Sequence, residues 1–499
     1  MKKSILSTLI FLILATRLFS VSMDSRVRSV PKDAAEKVFK KPKEGLPLVV
    51  KHLTQNAGGA QAKVKVIHDW ICDNIAYDTD MYFSGKVSKQ DYETVLKKKK
   101  GVCSGYASVM NEMCRLAGIE SIGIHGYSKG FGYQGKLGKN PDHEWNAVNI
   151  NGKWQLVDCT WDAGHVDWKT WIKHYSDEWL FLPPEQFIFS HLPEKEEYQY
   201  LKNPISAEQF VKEPYVAGKF FKMGFSLGKN RPDYKTVISG AKEFDFGIKQ
   251  GGISVTSAIR EKESQRDVKN AVWINRTGNS FTVNLDVPDK NDYKAFIFAK
   301  KTNEANYGDR FPIAQFEQDF LPRIEALLSG KKITQKEYDF FKEAFFKVEE
   351  NGSYYLYEDL FANQRNNAIT KIFKILEISS GILDPVLDFE LNADSSYNGF
   401  GNEMKYPSCY ASYDSATNTR LISPLGGILK KGDKVRFEIS SKDFSGIAVN
   451  VSGSLTPLKK DAKGIYSAEL EIGEVENVVV YGTKNGKNYN GLWFYGVDK

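Results

Sequence analysis

The chain has 499 residues, of which 41% are hydrophobic, 13% aromatic and 26% charged. That mix fits about three globular domains and excludes disorder, collagen-like repeats and a multi-span membrane protein. The formal charge of +6 falls to about +3 if Lys2, Lys3 and Arg17 leave with a leader, too small an excess to imply a nucleic-acid partner.

Met1-Lys2-Lys3 followed by an apolar run over residues 5–14 reads as a secretory signal peptide at 1–22, with small residues Ser20 and Ser22 placed for cleavage. The run is too short to span a bilayer, and no later segment reaches spanning length. The expected location is therefore exported, either periplasmic or extracellular and at the cell surface. Residues 23–45 carry Lys and Pro with little periodicity and read as a linker. In 46–205, Val64, Ile67, Ile71 and Ile75 recur at helical spacing and predict a helix over 60–75. Cys103, Ala107, Met110 and Cys114 lie on one stripe and predict a second over 103–117, closed by Gly118.

Seven of the nine tryptophans fall between Trp70 and Trp179, a composition step that marks a domain seam. Beyond it, alternating runs such as residues 281–287 and 295–298 predict a β-sandwich over 206–305. Residues 306–380 read as helical, with elements near 321–328, 335–348 and 367–376. The stretch 381–499 returns to strands. Residues 466–472 match 281–287 in type at each position, which suggests a duplicated β-domain.

Cys72, Cys103, Cys114, Cys159 and Cys409 are odd in number and show no zinc-ligand spacing. Cys103 opens the 103–117 helix, where unpaired N–H groups and the helix dipole favour a thiolate. Cys114, deeper in the same helix, reads as core. A base appears in the segment 143–158, two strand-like runs joined by Asn151-Gly152, a strong signal for a type I′ hairpin. With those two residues as the loop, paired positions sum to 303 and His143 lies diagonal to Asp158 on one face. Cys103, His143 and Asp158 then fill the slots of nucleophile, base and orienting acid, and N–H groups at the helix start could hold an oxyanion.

Residues 101–107 (GVCSGYA), 143–148 (HEWNAV) and 154–161 (WQLVDCTW) resemble the core motifs of the transglutaminase-like superfamily. Asp69-Trp70-Ile71, Asn74 through Asp78, Tyr175 through Phe181 and His191-Leu192-Pro193 are similar to its kyphoscoliosis-peptidase-like branch. Residues 421–425 and 432–437 resemble the immunoglobulin-like modules that follow such cores. The resemblance implies an α+β, papain-related core followed by two immunoglobulin-like β-sandwich domains with the helical segment between them. It also implies a cysteine peptidase or acyltransferase with catalytic Cys103, His143 and Asp158, forming a thioester that passes to water or an amine.

The implied partner is a protein or peptide substrate, with cell-wall peptide one candidate. No metal or organic cofactor is required for thiol acyl transfer. Some relatives have lost the cysteine, so the alternative is a surface scaffold with an idle core. Tyr106, Trp145 and Trp161 are expected at the substrate cleft, the two tryptophans shielding it from water or filling the core. His68 and Cys72 sit four apart on a helix and read as satisfied core residues. Cys159 is expected on a strand, facing away from Asp158. Lys97 to Lys100 read as a solvated loop. His125, His165, His174 and His191 show no pairing logic.

Overall fold

The computed structural model describes residues 23–301 except 131 and 168, isolated positions between 311 and 354, and 385–498 except 402 and 410–417. The leader expected at 1–22 and most of the segment expected to be helical at 306–380 lie outside the described residues. Of the few positions described there, 325, 328–329, 335–336 and 338–339 are helical. Phe311–Pro312 and Ser353–Tyr354 form an antiparallel pair. No described helix is long and apolar enough to cross a membrane.

The chain divides into two compact units, one of residues up to 222 with 232–236, the other of 223–231 with the residues from 237 on. The first is α+β. Its helices Ala60–Asn74 and Cys103–Leu116 stand within a residue or so of the ranges read from periodicity. They share one core, in which Val64, Ile67, Ile71, Val109, Met110 and Cys114 are fully buried.

Residues 23–45 are not a linker. They form helices Ser25–Arg28 and Lys32–Lys40 and the start of Pro42–Thr54. Val27, Ala34 and Val38 join the same core, and the Asp24 N–H donates to Asp69 Oδ2 at 2.8 Å. The prolines that suggested a linker instead stand at helix starts, Pro31 as N-cap and Pro42 in the first turn, where a missing N–H costs nothing.

A five-stranded antiparallel sheet runs Leu180–Leu182, Lys153–Val157, His143–Ile150, Ser121–Ser128, His191–Pro193 across its width. The hairpin register follows the predicted sum, from Ile150↔Lys153 to Asn146↔Val157. Asn151 and Gly152 both have positive φ, 53° and 81°, as a type I′ turn requires. At the other side of the central strand Gly126 is paired with both His143 and Pro193. A Cβ there would stand 2.3 Å from the Leu192 carbonyl and 2.4 Å from the Trp145 ring. Only glycine lets these strands close.

The second unit holds two sandwiches with one strand order. In the first, a sheet ordered Phe225–Leu227, Lys242–Ile248, Ser280–Leu285, Val272–Thr277 accompanies Pro385–Ala393, Asp292–Lys301, Ile253–Glu261, Asp267–Val268. In the second, Thr419–Ser423, Lys434–Ser441, Ile465–Glu471, Lys459–Lys460 accompanies Asn490–Asp498, Asn477–Thr483, Gly446–Asn450, Leu455–Pro457. The two segments that matched in type occupy the same place. Phe281 pairs with Phe246 and Tyr466 with Ile439, each third in its four-stranded sheet.

The expected boundaries shift accordingly. Residues 206–222 fall in the first unit. Pro385–Ala393 closes the first sandwich beside Asp292–Lys301 rather than opening the second.

Candidate active site

Cys103 is the first residue of its helix, behind Val102 as N-cap, and is partly exposed. Two short strands set this start: Ala76–Tyr77 pairs in parallel with Lys100–Gly101, and the Val102 N–H donates to Gln90 Oε1 at 2.9 Å. The lysine run before it is committed locally. Lys97 and Lys98 end the helix Tyr92–Lys98, Lys99 lies 4.2 Å over the Phe39 ring, and Lys100 pairs with Asp78 at 3.2 Å.

His143 begins the central strand, and its Nε2–H donates to Asp158 Oδ2 at 2.7 Å. Cys103 is another hydrogen-bond partner of the imidazole, so Nδ1 is the nitrogen left for the sulfur. Burial disfavours charge on His143, but the Asp158 carboxylate and the Cys103 sulfur outweigh it and hold the ring's pKa up at about 10. Asp158 also resists burial. His143 and His191 keep its carboxyl well below the usual range.

The hairpin ladder stops one residue before Asp158. That residue caps the helix Cys159–Ala163, with Oδ1 accepting from the Thr160 and Trp161 N–H groups at 2.7 and 3.2 Å. A cap of this kind is worth about 1 kcal/mol. Cys159 consequently opens a helix rather than continuing a strand, and it is buried.

One residue of the cluster was not signalled by spacing. His191, from the edge strand, places Nε2 3.2 Å from the same Asp158 Oδ2. It comes from 33 residues downstream of Asp158, and no local pattern could have found it; only the similarity of His191-Leu192-Pro193 to a known branch marked the segment. Of the residues expected at the cleft, Tyr106 and Trp145 are buried in the core. The Tyr106 hydroxyl donates to the Ile75 carbonyl at 2.7 Å. Trp161 is half-buried, its ring 5.5 Å from that of His143.

Residues 48–159 match the model of the transglutaminase-like superfamily, and 207–317 match the KY-like, immunoglobulin-like domain. The core is transglutaminase-like. Kyphoscoliosis peptidase of Mus musculus is 37% identical over 188 residues, covering 36% of this chain and 28% of that protein. Hillarin of Drosophila melanogaster is 31% identical over 178 residues, 32% of this chain and 21% of its own. The Lim and transglutaminase domain protein ltd-1 of Caenorhabditis elegans is 26% identical over 285 residues, 52% of this chain and 39% of that protein. The chain thus spans well under half the length of these relatives.

The transglutaminase-like core contains a second buried group of the same residue types. His68 Nδ1 lies 3.1 Å from Asp69 Oδ1 and Nε2 3.0 Å from Asp162 Oδ2. Cys72 Sγ is 3.5 Å from His68 Nε2, and Cys159 stands beside it. Burial opposes the charge on His68, yet the Cys159 sulfur and the two carboxylates raise its pKa to about 10. Asp69 is also buried, and His68 and Lys65 lower it to about 2. Among the described residues, this group and His143 with Asp158 and His191 each bring three ligand-type atoms within 4.8 Å. In both, ring nitrogens already face carboxylates, and each cluster is accounted for as a hydrogen-bond network.

Proposed function

We propose that this protein is an exported cysteine enzyme that breaks peptide or protein amides through a thioester on Cys103. The observation that carries the reading is one partly exposed thiol at a helix start, in hydrogen-bond reach of a buried imidazole that donates 2.7 Å to a buried carboxylate. A charged His143 beside the sulfur favours its thiolate. The sulfur attacks the carbonyl carbon, and the Cys103 N–H at the helix start is positioned to help hold the oxyanion. The C–N bond then breaks as His143 gives its proton to the leaving amine. His143 next takes a proton from water, whose oxygen attacks the thioester, and the C–S bond breaks to release the acid and restore the thiolate beside the charged His143. Asp158 stays ionised throughout and steadies the imidazolium.

Water is the proposed acceptor, supported by the peptidase name of the 37% identical mouse relative. The leader-like residues 1–22 support export, and mature protein beginning after Ser22 would bear that out. The activity is tested by incubating the protein with labelled casein, with and without a fluorescent amine. New peptide termini that vanish in Cys103→Ser support the peptidase, amine incorporation replaces it with transfer, and neither product in either protein leaves a scaffold.

A further inference from the structure

His191 has no part in the steps above, yet it is fully buried at the centre of the site. Its Nδ1 is 2.7 Å from the Ser190 hydroxyl and its Nε2 3.2 Å from Asp158 Oδ2. Carbon rings enclose the remainder: Phe187 at 4.1 Å, Trp161 at 4.4 Å, Trp179 at 5.0 Å and Trp145 at 5.1 Å. The titratable groups facing it are Asp158 and His143. Burial in this box, with the charged His143 ring 5.4 Å away, holds its pKa down near 4 despite the carboxylate. A neutral ring beside an ionised carboxylate must carry its proton on Nε2, and the one proton of the Ser190 hydroxyl, which also lies 3.1 Å from the Phe187 carbonyl, then turns to Nδ1 at 2.7 Å.

Asp158 is thereby saturated. A carboxylate offers about four acceptor sites. Two N–H groups take Oδ1 and two imidazoles take Oδ2. No site is left for water, and rotation of the carboxylate would break several bonds at once. The two histidines on Oδ2 are inequivalent: His143 reaches the thiol, whereas His191 has both nitrogens committed.

We propose that His191 is a positioning residue which, as a neutral Nε2–H donor, fixes the Asp158 oxygen that His143 uses and itself exchanges no proton. This rests on the acyl-transfer reading of the same site. Without the donor the carboxylate turns or takes up water, and its hold on the His143 proton weakens. Field alone predicts the opposite, since removing a neutral donor leaves a stronger negative charge beside His143. The direction of the change therefore separates positioning from electrostatics.

The test is the rate of Cys103 alkylation by iodoacetamide against pH, read by peptide mapping in the full chain and in His191→Leu, His191→Gln and His143→Ala. Positioning predicts that His191→Leu moves the half-maximal pH up by about one unit, about a tenfold slower reaction at pH values below both midpoints. His191→Gln, which keeps an N–H near Nε2, stays within about threefold of the parent on the same scale. An unmoved or faster profile in His191→Leu overturns the inference, as does an equal loss in both His191 variants with unchanged profile shape, the mark of a packing role. If His143→Ala keeps the parental profile, the acyl-transfer reading falls and takes this inference with it. A slowed His143→Ala beside an unaffected His191→Leu removes the inference alone. Should the leucine variant not fold, nitrogen NMR of the parent decides: one buried histidine must remain the neutral Nε2–H tautomer from about pH 5 to 8, where an ordinary ring titrates. Titration in that range of the His191 ring, assigned by its absence from His191→Gln, overturns it.

Discussion

Among the described residues the first unit holds two groups of cysteine, histidine and aspartate built on a buried histidine, and on the proposed reading their difference separates chemistry from structure. In one, His143 has a carboxylate on a single nitrogen and the other turned to a partly exposed thiol. In the other, His68 has a carboxylate on each nitrogen, and its thiol neighbours Cys72 and Cys159 are buried. A proton on His143 can be delivered and recovered. A proton on His68 is held between two anions with nowhere to go, so the same residue types form an internal ion pair. Residue identity does not distinguish the two groups; the free nitrogen and the open face do.

The largest effects should break this comparison at the carboxylates. Asp158→Asn, with an amide where His143 needs an acceptor, is expected to cut turnover on labelled casein by on the order of 10² to 10⁴ per folded molecule, and to lower the unfolding temperature as well because it removes the anion that holds the buried His143 proton. Asp162→Asn should lower the unfolding temperature too, but with activity per folded molecule kept. A large activity loss in Asp162→Asn would mean that the two groups act as one.

Removing the trapped cation is the next largest change. His68→Leu leaves Asp69 and Asp162 buried without their shared partner and is expected to cost about 3–5 kcal/mol in urea unfolding. Iodoacetamide should still modify Cys103 ahead of the buried Cys72, Cys114 and Cys159 in that variant at temperatures where it stays folded. Selective labelling of Cys72 instead would assign the nucleophile to the wrong cluster.

Stability against pH should show both groups at once. His68 and His143 keep their protons to about 10 when folded but only to their ordinary 6.5 when unfolded. Their contribution is complete below 6.5 and is lost as pH rises through 10. His191, held near 4, is neutral where the unfolded ring is charged, so stability is also lost as pH falls from 6.5 through 4. Asp69, held near 2 against an ordinary 3.8, adds a further loss in acid. Melting temperature should therefore peak near pH 6.5, with the steeper fall on the alkaline side, where two groups release protons together. His68→Gln should flatten that side and, by removing the cation that lowers Asp69, also weaken the part of the acid loss that Asp69 adds. The smallest effect is expected at Lys65→Met: its ammonium, 2.7 Å from Asp69 but one-third exposed, should contribute no more than about 1 kcal/mol to thermal stability.

The site was legible in the sequence where it is local. Asn151-Gly152 sets the hairpin register, the register brings His143 to Asp158, and helical periodicity puts Cys103 at a first turn. What depends on tertiary pairing was silent. His191 reaches Asp158 only because its short strand adds to the far edge of the sheet. Asp162 reaches His68 only because the chain turns helical at Cys159, a turn driven by the Asp158 cap that a strand reading overlooked. The helices at 25–40 were missed because Lys and Pro imply a breaker unless helix starts are considered. Tyr106 and Trp145 stand near the right residues but face inward, a distinction of side-chain direction that spacing does not carry.

The two sandwiches differ at one connection. Asn477–Thr483 and Asn490–Asp498 are neighbouring strands joined by residues 484–489, whereas the equivalent Asp292–Lys301 and Pro385–Ala393 are joined through 302–384. Because both ends of that stretch leave from strands paired with each other, tension along the chain is carried across their hydrogen-bonded ladder. Pulling the second unit from its ends should therefore load the stretch 302–384 only after the first sandwich gives way.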